Sequence, residues 1–337
     1  MTPLVVLDAD VLGRRRTGDE TYVENLLRHL PRLGGDAFRF AALTRRPDLV
    51  PEGVEPVELQ ARFQELRMAF AVPRLLRRLR PALAHFQHAL PLACPCPAVV
   101  TIHDLSFERD ATAMGRRDRA IFKTFVPRAA RLARRVIAVS ERTKGDLVDL
   151  YKIDPARITV VPHGVDPAFT PGGGEPGEYL LYVGAIQARK DPLAAADAAA
   201  ALGLPLIVAG PEREPALARE LERRGADLRG YVEQAELADL YRGAACLVLP
   251  SRYEGFGLPV LEAMACGTPV VVHSDPALRE VAGDAAVYAE PGGLADAIRS
   301  ALADRERLAE AGLARARLFS WDETARRTLN VYREALA

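Results

Sequence analysis

The sequence predicts two doubly wound α/β domains in tandem, and three observations carry that prediction. Short β-branched runs alternate with amphipathic stretches along the chain, the pattern of a parallel sheet covered by helices on both faces. The length, 337 residues, suits about two domains. Midway, the stretch "DPAFTPGGGEPGE" breaks the alternation; it is rich in Gly and Pro, lacks periodicity and reads as a linker. The expected division is 1–165, 166–319 and a terminal helix, 320–337.

In the first half, strands are expected at 4–8, 38–43, 82–86, 98–102 and 135–139. A helix over about 20–33 carries Tyr22, Val23, Leu26, Leu27 and Leu30 at helical spacing. A second runs through "AIFKTFVPRAARLARR", and a third follows Ser140, a good N-cap. In the second half, strands at 179–184, 204–210, 227–232, 245–250 and 269–273 alternate with helices near 191–202, 214–224 and 235–243 and one starting at Pro259. The last helix opens at Ser320, with Glu323 placed for a capping box, and Trp321 is expected to anchor it in the core.

Composition narrows the class. Apolar residues make up 49% and charged residues 27%, the balance of a folded globular protein, and no run is apolar for long enough to span a bilayer. The opening residues place their positive charge after the apolar run, so they read as a first strand and not as a leader. Net charge is zero, yet residues 1–165 hold 27 Lys/Arg against 19 Asp/Glu, and the remainder holds 18 against 26. Such a dipolar chain is compatible with an anionic partner surface, or with two halves that are merely solvated differently. Four cysteines cannot make a disulfide framework, which points to a reducing, cytoplasmic setting. Cys94 and Cys96, downstream of His85 and His88, loosely suggest a metal cluster; packing accounts for the thiols better, and no metal site is assigned.

The most informative segment is "PSRYEGFGLPVLEAMACGT", residues 250–268. It follows a buried strand, turns through Gly255 and Gly257 and enters a helix with Pro259 at its first position. A glycine turn feeding a helix N-terminus offers backbone N–H groups and a favourable dipole to a phosphate. Glu262, one turn in, leans back toward that end, while Glu254 lies on the loop before it.

These residues resemble the E-x(7)-E signature of the family-4 retaining glycosyltransferases, with Glu254 and Glu262 as the two glutamates. "LRGYVEQAELADLYRGAACLVLPS", "GTPVVVHSDPALREVAGDAAVY", "VVPHGVDPAFTP", "VTIHDLSF" and "TGDETYVENLLRHL" are similar to the family's flanking, interdomain and N-domain segments, although His163 stands where asparagine is commoner. The resemblance implies a GT-B fold: two Rossmann-like domains facing an interdomain cleft, the terminal helix crossing back to the N-domain.

It also implies roles. Lys190 neutralises the donor diphosphate, and a compact ammonium suits charge that grows as the glycosidic bond breaks. Where many members carry an arginine after the glycine matching Gly184, this chain has Ala185, so Arg189 is the candidate for the second positive charge. Glu262 would bind the ribose and Glu254 the transferred sugar; backbone at Gly255, Phe256, Gly257 and Leu258 would meet sugar or phosphate, and Tyr231 and Val232 the base. Gly18 would close on the diphosphate, with Asp19 and Glu20 facing the acceptor or capping the following helix. His103 would touch the donor sugar, with His88 and Ser140 as lesser candidates beside it.

The expected activity is therefore transfer of a hexose, mannose among the candidates, from a nucleotide diphosphate sugar to a hydroxyl acceptor with retention. No resident cofactor, no metal and no nucleic-acid partner are expected. A sugar-nucleotide epimerase and a catalytically silent nucleotide-sugar-binding scaffold are the alternatives. The segment "RFQELRMAFAVPRLLRRLRP" (62–81) interleaves Arg67, Arg74, Arg77, Arg78 and Arg80 with apolar residues. It suits peripheral contact with an anionic membrane and a lipid-linked or glycan acceptor, or else a surface helix with solvated arginines.

Overall fold

Seven parallel strands build the first sheet: β1 (Leu4–Asp8), β2 (Arg39–Thr44), β3 (Val54–Glu58), β4 (Leu83–Gln87), β5 (Ala98–Ile102), β6 (Arg135–Ala138) and β7 (Ile158–Val160). Their order is β3-β2-β1-β4-β5-β6-β7. Six more parallel strands build the second: β8 (Leu180–Val183), β9 (Leu206–Ala209), β10 (Asp227–Gly230), β11 (Cys246–Leu249), β12 (Val270–His273) and β13 (Val287–Ala289), in the order β10-β9-β8-β11-β12-β13. Central strands such as "AVVTI" and "CLVL" are buried along their whole length, as strands covered on both faces must be.

The computed structural model describes residues 2–14, 18–60, 66–110, 112, 114–172 and 177–337. Part of the linker, residues 173–176, and residues 62–65 of the basic segment lie outside the described residues, as does Thr17 of "TGDETYV". The chain forms two compact units. One comprises Met1–Glu108, Gly115–Gly164 and Trp321–Ala337; the other comprises Arg109–Met114 and Val165–Ser320. The short piece Arg109–Met114, which the sequence gives no reason to separate from its neighbours, groups with the second unit.

Each sheet has a point where successive connections turn in opposite directions, between β1 and β4 in the first and between β8 and β11 in the second. Loops beyond the carboxyl ends of such strand pairs are where open α/β sheets bind ligands.

In the first unit the helix Gly18–Gly34 buries Tyr22, Val23, Leu26, Leu27 and Leu30. The C-terminal helix Trp321–Leu336 packs on it closely: a Cβ added to Gly34 would stand 2.6 Å from Leu329 Cδ2. Trp321 is 2% exposed and anchors that helix, as its sequence suggested. The Tyr332 hydroxyl lies 2.7 Å from His85 Nδ1, and Thr101 Oγ1 lies 2.8 Å from His85 Nε2. Both nitrogens of His85 are thus engaged in the core, away from any role beside the half-buried Cys94 and Cys96.

The basic segment 62–81 needs one correction. Arg67 does not sit on a solvated or lipid-facing stripe; it is buried, with Nη1 2.6 Å from Asp10 and 3.4 Å from Asp8. Burial of Asp8, the last residue of β1, and of Asp10 just past it demands positive charge, and Arg67 supplies it from inside while Arg45 and Arg14 also pair with Asp10. A widened, π-helical turn over Arg67–Ala71 leads into the helix Val72–Leu79. From there Arg74, Arg77, Arg78 and Arg80 are exposed together with Leu66 and Phe70.

Candidate active site

The switch point of the second sheet carries the strongest constellation. The chain leaves β8 through Gly184, whose N–H donates to the Ala209 carbonyl at 2.9 Å. A 3-10 turn, Ala188–Lys190, then presents Arg189 and Lys190. Asp191 closes it at φ +48°, a left-handed value that a non-glycine residue adopts only when its surroundings enforce it. From the neighbouring strand β11 the chain runs through Ser251–Gly257 into the helix Leu258–Ala265.

The two loops are laced together. Arg252 Nη2 donates to the Ala188 carbonyl at 2.8 Å, and its N–H donates to the Arg189 carbonyl at 3.0 Å. Arg189 Nη1 donates to the Tyr253 carbonyl at 2.9 Å. Lys190 Nζ donates to Glu254 Oε1 at 2.8 Å, with side chains only 12% and 10% exposed. Burial alone would raise the Glu254 carboxyl, but the charges of Lys190 and Arg189 outweigh it and hold the group below its usual range. Asp110, from the short piece grouped with this unit, is held low first by its bond from Thr112 and further by Arg252 and Arg189.

Gly257 opens the helix at φ +105°, and a Cβ there would stand 2.6 Å from Leu278 Cδ2. Only glycine suits the position, and it turns the chain into the helix three residues after Glu254. Glu262 is held from inside: Tyr241 donates its hydroxyl to Oε2 at 2.8 Å. Burial pushes the Glu262 carboxyl up to about 7; the Tyr241 bond works against that rise and Asp166 adds to it. Leu258 and Phe256 are buried, whereas Tyr231 is 42% exposed just past the end of β10. Val232 is half-buried outside that strand, which stops two residues short of its expected end.

In the first unit the corresponding switch point gathers different chemistry. His103 follows β5 and is buried, with Nε2 2.9 Å from Gln87 Oε1 and Nδ1 3.9 Å from Asp19 Oδ1. Burial, opposed by Asp19, drives its pKa down to about 4, so the imidazole is neutral near pH 7. Its ring centroid lies 5.2 Å from that of His88 and 5.6 Å from that of His163. Gly18 begins the helix that carries Asp19, and Glu20 Oε1 accepts from the Gly13 N–H at 2.6 Å, tying the chain before the helix to its first turn. Ser140 acts as the N-cap of the helix Glu141–Tyr151, its Oγ accepting from the Thr143 N–H at 3.1 Å.

Sequence reasoning missed Tyr241, Arg252 and Asp110. Arg252 alone gave a signal, standing two residues before Glu254; the others reach the site only through the fold.

Two parallel, doubly wound sheets with this loop chemistry define the class: the fold is that of a GT-B glycosyltransferase. Solved structures with that fold cover nearly the whole chain. The sucrose-phosphate synthase of Thermosynechococcus elongatus matches with a TM-score of 0.80 at 20% identity, covering 99% of this chain and 98% of that one. HepE of Anabaena, solved with UDP and glucose, matches with a TM-score of 0.74 at 16% identity, covering 99% and 100%.

The family follows from the sequence models. Residues 16–169 match Glycosyltransferase Family 4 and residues 170–315 match Glycosyl transferases group 1, so the chain belongs to this glycosyltransferase family. D-inositol 3-phosphate glycosyltransferase of Frankia alni is 36% identical over 241 residues, 60% of this chain and 59% of the relative. O-antigen chain mannosyltransferase B of Escherichia coli is 32% identical over 234 residues, 60% of this chain and 61% of the relative. The match thus spans about three fifths of these relatives' length.

Proposed function

We propose that the protein transfers a hexose from a nucleotide diphosphate sugar to a hydroxyl acceptor with retention at the anomeric carbon. One observation carries the reading: a buried lysine–glutamate pair, Lys190–Glu254 at 2.8 Å, at the switch point of the second sheet and next in sequence to a helix N-terminus. On donor binding Lys190 turns from Glu254 to the diphosphate, and Arg189 adds the second charge. Glu254, released, accepts from hydroxyls of the transferred sugar. Charge that develops on the departing phosphate is thereby met by groups already in place, without a divalent ion in that role. The departing phosphate takes the acceptor's proton in a front-face attack.

Glu262 accepts from the ribose hydroxyls, Tyr231 and Val232 hold the base, and backbone N–H groups of Gly255, Phe256, Gly257 and Leu258 contact sugar and phosphate. Gly184 and Gly18 let backbone approach the diphosphate, and His103 accepts from a sugar hydroxyl. The mannosyltransferase relative and the UDP-bound neighbour support a hexose donor of this chemistry. Work in cell-surface glycan or glycolipid synthesis, on the cytoplasmic side, fits the O-antigen relative.

A lipid-linked acceptor at an anionic membrane is favoured by the exposed face of the basic segment. Leu66 is 53% and Phe70 70% exposed, beside exposed Arg74, Arg77, Arg78 and Arg80. No helix among the described residues is long and apolar enough to cross a membrane. The test is a chromatographic assay with labelled nucleotide sugars, with and without lipid-linked and glycan acceptors. Acceptor-dependent release of nucleoside diphosphate that Lys190→Ala abolishes supports the reading; sugar turnover without acceptor overturns it.

A further inference from the structure

We propose that Asp19, His88 and His103 form a binding site for a divalent transition-metal ion of the zinc class. One ligand atom from each residue lies within 4.8 Å of the others, all three within the first unit. The residues arrive from separate places beside the switch point: Asp19 from the first turn of the helix after β1, His88 from the end of β4 and His103 from the end of β5. Two imidazoles and a carboxylate are the donor set of open zinc sites, in which three protein ligands leave a position for water or substrate.

Three details distinguish the cluster from a chance gathering of polar groups. His103 Nε2 lies 2.9 Å from Gln87 Oε1, which can only accept, so Nε2 carries the proton and Nδ1 presents its lone pair on the side of Asp19. A metal-bound histidine characteristically donates its other N–H to such an oxygen. His88 sits at φ +57°, a left-handed conformation pinned by its own N–H donating to the Thr101 carbonyl at 2.9 Å. Its ring is also held, with its centroid 5.7 Å from that of Phe122, and its buried Nδ1 has no hydrogen-bond partner among the described residues. Such backbone strain and an unmet buried polar atom are the marks of a site built for a ligand. Tetrahedral zinc with bonds near 2.1 Å sets its ligand atoms about 3.4 Å apart. Asp19, 43% exposed on its side chain and 3.9 Å from His103 Nδ1, has room to close that gap by a short movement.

Because the transfer reading gives His103 to the donor sugar, zinc is expected to inhibit transfer; that consequence rests on the reading, whereas binding itself does not. The test is calorimetric titration of the full chain with zinc chloride and, separately, cobalt chloride followed by its visible absorption. One ion per chain is expected, weakened at least about 10-fold in His88→Ala, in Asp19→Asn and in Gln87→Leu. The melting temperature of each metal-free variant checks its folding, and the exposed Asp19→Asn keeps the test decisive where a buried variant unfolds. Cys94→Ser with Cys96→Ser leaves binding unchanged. Absence of binding, binding indifferent to Asp19→Asn and His88→Ala, or binding lost with the cysteines overturns the proposal.

Discussion

Glu262→Gln should make the protein more stable and worse at binding nucleotide, and the gain in stability should depend on pH. Burial raises the Glu262 carboxyl from 4.5 to about 7 in the folded chain. An acid with a raised folded pKa binds more protons folded than unfolded, so its contribution falls as pH climbs through that interval. Below about pH 4.5 the carboxyl is neutral in both states and carries no penalty; above about 7 it is ionised in both, and the folded state bears the full cost. The displacement from 4.5 to about 7 is equivalent to about 3 kcal/mol. Glutamine keeps an oxygen for the Tyr241 hydroxyl but removes the charge, so its advantage grows from near zero at pH 4 to as much as about 3 kcal/mol at pH 8. Denaturation midpoints of both proteins across that range measure it. An advantage equal at both ends, or a wild type more stable at pH 8, would refute the reasoning. Nucleotide affinity of the wild type rises with pH toward a plateau above 7, and the variant loses that rise.

Other outcomes follow from the same contacts. Lys190→Ala removes most transfer activity and also lowers the melting temperature of the ligand-free protein. It strands the buried Glu254, at a cost of order 3 kcal/mol, and Glu254→Gln in the same chain recovers part of it. Glu262→Gln weakens nucleotide binding more than Glu254→Gln, as calorimetry would show; the reverse order would exchange their roles. Gly257→Ala forces Cβ against Leu278 and a left-handed φ, costing about 1–3 kcal/mol and donor affinity together. Phe70→Ser with Leu66→Ser reduces sedimentation with anionic vesicles at low salt while leaving transfer to a soluble acceptor unchanged.

What the sequence made legible depended on burial. Most central strands announced themselves as continuous apolar runs, because both of their faces are covered; β4 is interrupted by the buried His85. The strands it hid are β3, β7 and β13, and each is an edge strand. "VEPVE" exposes three of its five residues and contains Pro56, tolerable only where no ladder bond is required, and the other two are three residues long. At the site, the glycine turn and both glutamates were readable as local sequence. The Lys190–Glu254 pair was not, since it joins loops after β8 and β11, strands adjacent in space but separated in sequence. Arg67 shows the same limit from the other side: spacing placed it on an amphipathic stripe, while Asp8 and Asp10 drew it into the interior.

The central claim is that the second unit's switch point binds a nucleoside diphosphate through Lys190. Calorimetric titration of wild type and Lys190→Ala with UDP, GDP, dTDP and ADP, and with the matching nucleosides, tests it most directly. The account predicts that one diphosphate binds the wild type and weakens by about 100-fold or more in the variant, while the nucleoside binds both equally. Failure of every diphosphate to bind, or binding that Lys190→Ala leaves unchanged, would contradict it.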